Sequence, residues 1–283
     1  MWAGLVIAEL IFSTILSFPI IIMFVILLVK GKLHTTMRDS PPLVLVFVAN
    51  FLSTLLIIGS NIEWFLIISG LIPNVGENTL WFIVPGFTRS VLSGFYDLAN
   101  AALFAQRTVI LLFPLKLMRR ASKMIASIAI FLSLLAAFTI YFENLKHLMI
   151  FDQPIPEGCY GFSCVRRWLG GSIFIVKVII DVILLLFGVI FLIVFRISKM
   201  VHSYTKINYY VKYMFLLHLS CAVVVQVTDY ILAMAGIMVG NYIGQYGLVM
   251  ESSEYFLSTL VYFMLLTKKG KTLKVLSSAS KVS

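Results

Sequence analysis

Charge is what this chain has least of. Only 12% of its 283 residues are Asp, Glu, Lys or Arg, where a soluble domain carries about a quarter. Its three cysteines (Cys159, Cys164 and Cys221) are too few for a disulfide framework and lack zinc-site companions. The four histidines (His34, His147, His202 and His218) fall in four different regions, so no metal site is expected. There is no His-Glu-x-x-His, no Gly-x-Ser-x-Gly and no Gly-rich phosphate loop ending in Lys. No catalytic residue, no cofactor and no enzymatic activity are therefore expected. A retinal Schiff base would need a lysine deep in the last apolar run, but Lys268 already lies beyond it. Internal repeats of the transporter kind are missing too, as is any hydrophilic stretch long enough to fold as a second domain.

What fills the chain is apolar. Hydrophobic residues make up 61% and mean hydropathy is +1.03. Seven runs stand out, at 5–29, 43–71, 80–115, 124–141, 170–195, 213–239 and 242–266. Each is long enough to cross a hydrocarbon core of about 30 Å. The expectation is an all-α membrane protein, one domain over residues 1–283 built as a seven-transmembrane helix bundle, with a basic, Ser-rich tail at 267–283. The first run is too long for a signal-peptide core and reads as an uncleaved anchor. The second and third runs exceed the needed length and must tilt, kink or project.

The net charge of +10 does not point to nucleic acid, because the basic residues cluster in short gaps between apolar runs. The gaps after runs one, three, five and seven, counting the tail, hold 16 of the 22 lysines and arginines. The opposite side holds only Lys146, Arg166 and Arg167. Positive charge stays on the cytoplasmic side, so the N-terminus is expected outside and the C-terminus inside. Five tail lysines suit an anionic inner leaflet, at about 1 kcal/mol each near the surface.

The third run carries a polar stripe. Placed on a helix, Arg89, Ser93, Tyr96, Asp97, Asn100 and Arg107 fall within an arc of about 100°. Neighbours must satisfy that stripe, so this helix belongs at the centre of the bundle. Seven acids lie within or at the ends of spans: Glu9, Glu63, Asp97, Asp181, Asp229, Glu251 and Glu254. An isolated ionised side chain there costs at least about 3 kcal/mol, so these must pair, protonate or border water. Lys177 and Asp181, four apart, are expected to pair. On the last helix Glu251, Glu254, Tyr255, Ser258 and Tyr262 share one face. Asn50 and Asn100 suit interhelical hydrogen bonds. Cys159 and Cys164, in an outer loop, are either a small disulfide ring or two free thiols.

The segment Gln106-Arg-Thr-Val-Ile-Leu-Leu-Phe-Pro-Leu115 resembles the end of the third helix of G-protein-coupled receptors. There an Asp/Glu-Arg-Tyr triplet is followed at the same spacing by Pro-Leu. Arg107, Pro114 and Leu115 match, while Gln106 and Thr108 replace the acid and the aromatic. Ala49-Asn50 is similar to the Ala-Asp of the second helix in that family, with Asn50 at the acidic position. The sixth run lacks the Trp and Pro of the rhodopsin-like majority, and the seventh lacks Asn-Pro-x-x-Tyr. The short chain and the loop Gly158-Cys-Tyr-Gly-Phe-Ser-Cys164 most resemble the nematode serpentine chemoreceptors, class BC among them.

The resemblance implies a chemosensory receptor of the plasma membrane, with the sensory cilium as its site. Its partners would be a small odorant or pheromone-like ligand and a heterotrimeric G protein. Arg107, Pro114 and Leu115 would serve coupling, though Arg107 could instead snorkel to the inner phosphates. Arg89 falls where receptors of this kind face their ligand, and it should meet Glu251 or Glu254 in an outer, water-filled cavity. Ser93, Asp97 and Tyr255 complete the expected ligand-binding set, and the same ion pair read without a ligand is structural. Rival readings are a seven-helix ligand-gated channel, which places its N-terminus inside, and a small-solute transporter.

Overall fold

A computed structural model describes residues 3–113, 118–148, 155, 172–198, 205–235 and 246–267. Every element among them is a helix: α1 (Ala3–Val29), α2 (Lys32–Asp39), α3 (Pro41–Ile68), α4 (Gly76–Leu112), α5 (Met118–Leu148), α6 (Ser172–Ile197), α7 (Thr205–His218), α8 (Val224–Met234) and α9 (Tyr246–Thr267). A π-helical turn, Leu219–Val223, joins α7 to α8 without a break in direction. In hydrocarbon each backbone N–H and C=O must find its partner inside the segment, and the helix does this.

The helix ends follow local chemistry. Gly70 ends α3 at φ +72°, with Gly70 N–H donating to Ile67 and Leu71 N–H to Leu66, both at 2.9 Å. This is a glycine-terminated Schellman cap, which an L side chain would strain. Ser40 separates α2 from α3 at φ −148°, ψ 77°, because the residue before a proline is pushed out of the helical region. Pro41 and Pro42 then open α3 where a missing N–H costs nothing.

α4 packs against α3, α5 and α6, while α1 bridges α3 and α9. From Tyr96 to Thr108 every residue of α4 except Ala105 is buried, including Asp97, Asn100, Gln106 and Arg107. The helix with the polar stripe is thus enclosed by its neighbours. The outer surface is apolar: Ile15, Phe18 and Ile22 on α1, Phe131, Leu134 and Phe138 on α5, and Val182 and Leu186 on α6 are all exposed. So much contiguous apolar surface belongs in lipid.

Five helices are long and apolar enough to cross a bilayer: Ala3–Val29, Pro41–Ile68, Arg120–Glu143, Ile175–Ile197 and Asn208–Thr228. The chain is a multi-pass, all-helical membrane protein. α4 and α9 hold most of the buried charge and are too polar to join those five. α5 extends past the expected run at 124–141 at both ends, since a helix need not stop where the hydrocarbon does. α2, with Lys32, His34 and Arg38, has no counterpart among the expected elements.

Candidate functional site: a charged network across four helices

The side chains on the α4 stripe gather partners from three other helices. Asp97 follows Arg89 by eight positions, about 12 Å along the axis. At the first level Arg89 Nη2 forms an ion pair with Glu251 Oε2 on α9, each side chain about 20% exposed. Tyr255 O–H donates to the other oxygen of Glu251 at 2.7 Å. Its ring stands edge-on to Tyr96, with centroids 4.8 Å apart, so α4 and α9 are tied by charge, hydrogen bond and packing together. Ser93 lies half-buried on the same stripe.

At the second level Lys177 of α6 reaches across to Asp97. It also holds Asp181 at 3.1 Å, the expected pair on its own helix. His218 ends α7 and stands between two acids: Nδ1 is 2.7 Å from Glu254 Oε1, and Nε2 is 3.8 Å from Asp97 Oδ1. Asp97, His218 and Glu254 are each no more than 2% exposed. Four carboxylates (Asp97, Asp181, Glu251 and Glu254) therefore share Arg89, Lys177 and one imidazole. Removing one partner from such a pair strands a charge, at roughly 3–5 kcal/mol. Among the described residues no three His, Cys, Asp or Glu side chains converge as metal ligands would.

Further along, Asn50 Nδ2 donates to Ser258 Oγ at 2.9 Å and Thr259 Oγ1 at 3.0 Å, joining α3 to α9. Asn100 turns back to the Tyr96 carbonyl of its own helix at 3.1 Å. Near the end of α4, Ser40 Oγ donates to Gln106 Oε1 at 2.7 Å, and Gln106 Nε2 donates to Ser122 Oγ at 2.9 Å. Arg107 Nη2 lies 3.5 Å from Ser40 Oγ, at the limit of a hydrogen bond. A neutral amide thus links the start of α3, α4 and α5 where the resembled receptors carry an acid.

Of the residues expected to form a site, Arg89, Asp97, Glu251, Glu254 and Tyr255 lie in one connected network. Glu251 is the partner of Arg89, and Glu254 goes to His218 instead. Pro114, Leu115, Cys159 and Cys164, and the side chain of Asp229, lie outside the described residues. Sequence reasoning missed His218. The available signal was its depth within an apolar run, where an ionisable side chain is a functional candidate by default.

Compared with protein families, curated proteins and solved structures, the chain matches none.

Proposed function

We propose that the chain is a seven-transmembrane chemosensory receptor of the serpentine type. Its N-terminus is outside and its C-terminus cytoplasmic, in the plasma membrane of a sensory cell. It binds a small odorant or pheromone-like molecule and signals to a heterotrimeric G protein. α4 and α9 supply the two remaining spans. With 37 and 22 residues they reach about 55 Å and about 33 Å, and partners on neighbouring helices cover their charges.

The observation that carries this reading is the layout of α4. It bears a largely buried but solvent-touching ion pair towards one end and a buried Gln106–Arg107 network at the other. In this reading the first level faces the ligand. A carboxylate or hydrogen-bonding ligand competes with Glu251 for Arg89, with Ser93 at the approach and the buried Tyr255 and Asp97 behind the pair. Arg107 releases Ser40 on activation and meets the G protein together with Pro114 and Leu115.

The test is second-messenger recording in a heterologous cell against a panel of small volatile and carboxylate-bearing compounds, with a no-receptor control. A response that requires Arg89 supports the reading. Ligand-evoked ionic current that persists without G protein contradicts it and points to a channel.

A further inference from the structure

His218 occupies a position that the ligand reading leaves unused. It is the last residue of α7, and the π-helical turn Leu219–Val223 begins directly after it. Such turns are rare overall and frequent at functional sites. The ring is almost wholly buried. Its Nδ1 is engaged by Glu254 at 2.7 Å. Its Nε2 is buried with no hydrogen bond among the described residues, yet lies 3.8 Å from Asp97 Oδ1.

The chemistry of that gap depends on one proton. With Nδ1–H directed at Glu254, a bare Nε2 points a lone pair at a carboxylate, and the contact is repulsive. A proton on Nε2 makes the ring an imidazolium held by carboxylates on both sides. It then clamps α7 to α4 and to α9 at once. Imidazole is the one side chain whose ordinary titration falls near neutrality.

Asp97 and Tyr96 on α4 and Glu254 on α9 lie next to it; beyond them stand Lys177 and Asp181 on α6, Glu251 and Tyr255 on α9, and Cys221 in the turn itself. Lys177 is already shared by two acids. Asp97 and Glu254 are left sharing the imidazole, which a proton on Nε2 would turn into their second cation.

We propose that Asp97, His218 and Glu254 form a proton-binding site in the middle of the bundle, and that occupancy of Nε2 sets how α7 packs at its π turn. One proton from water binds Nε2, and its release unfastens α7 from α4. The site stands whether or not the chain couples to a G protein, and its test uses neither ligand nor G protein.

The full chain is purified into lipid nanodiscs with 13Cε1-labelled histidine and followed by NMR from about pH 5 to about pH 8. Loss of a signal in His218→Gln identifies the His218 resonance. Thermal unfolding is recorded over the same range. The expected result is a single titration of His218 whose midpoint falls by about one pH unit or more in Asp97→Asn or Glu254→Gln. Alongside it, the wild-type Tm changes across the same interval and the Tm of His218→Gln does not. A resonance that does not titrate in this range overturns the proposal. So does a midpoint that neither carboxylate variant moves. Should one variant fail to fold, the other and the wild-type Tm profile still decide.

Discussion

Arg89 on α4 and Glu251 on α9 are 162 positions apart in the chain and meet as an ion pair. The two helices are thereby fixed at one level, with Tyr255 and Tyr96 packed beneath the pair.

Arg89→Gln and Glu251→Gln should each reduce surface expression, because each leaves an unpaired charge worth roughly 3 kcal/mol or more. The double variant should recover expression if the pair is structural alone. If all three variants reach the surface but lose the ligand response, the pair is part of the ligand site. Flow cytometry on intact cells and second-messenger recording read the two outcomes separately.

Gly188 of α6 lies against the ring of Phe215 on α7, and a Cβ there would overlap that ring. Phe215 is itself held edge-on by Phe104, with centroids 5.6 Å apart, so it has little room to move. Gly188→Ala should cost roughly 1–3 kcal/mol through overpacking, seen as a lower Tm in detergent. Adding Phe215→Leu should restore part of it. An unchanged Tm for Gly188→Ala would show that α6 and α7 are not in close contact at this point.

Much of this arrangement was legible in the sequence. Five of the seven apolar runs mark helices long and apolar enough to cross a bilayer, and the 100° periodicity placed Arg89, Asp97 and Arg107 on one face of α4. Glu251 and Glu254 both qualified as partners of Arg89, since they share a face of α9 with Tyr255, and the structure selects Glu251. His218 could have been singled out by its depth in an apolar run, but its partners were not legible, since the two acids lie on other helices, far away in the chain. α2 escaped notice because eight residues with only Leu33 and Met37 apolar are too short a stretch to read as a periodic pattern. The π turn depends on how α7 packs, which no local propensity encodes.

Ser40, Gln106 and Ser122 carry the next prediction. Gln106→Leu removes the acceptor of Ser40 and the donor to Ser122, and an unmade buried hydrogen bond costs roughly 1–3 kcal/mol. Gln106→Glu should instead give Arg107 a charged neighbour and lower basal second-messenger output below that of wild type. Equal basal output from both variants would remove this network from any switching role.

Cys159 and Cys164 should form a disulfide if their loop faces an oxidising compartment. Mass spectrometry of the unreduced peptide reads this directly. Alkylation of both thiols without reduction would refute the bond. Cys221 is unpaired and half-buried in the π turn, and it should stay a free thiol in either case.

The central claim is a receptor with an odd number of spans and an outside N-terminus. It rests on 16 basic residues in the gaps on one side against three on the other. Epitope tags at Met1 and after Ser283 test it in the same cells. Antibody should reach the Met1 tag on intact cells and the Ser283 tag only after permeabilisation. The reverse pattern, or both tags on one side, would contradict it.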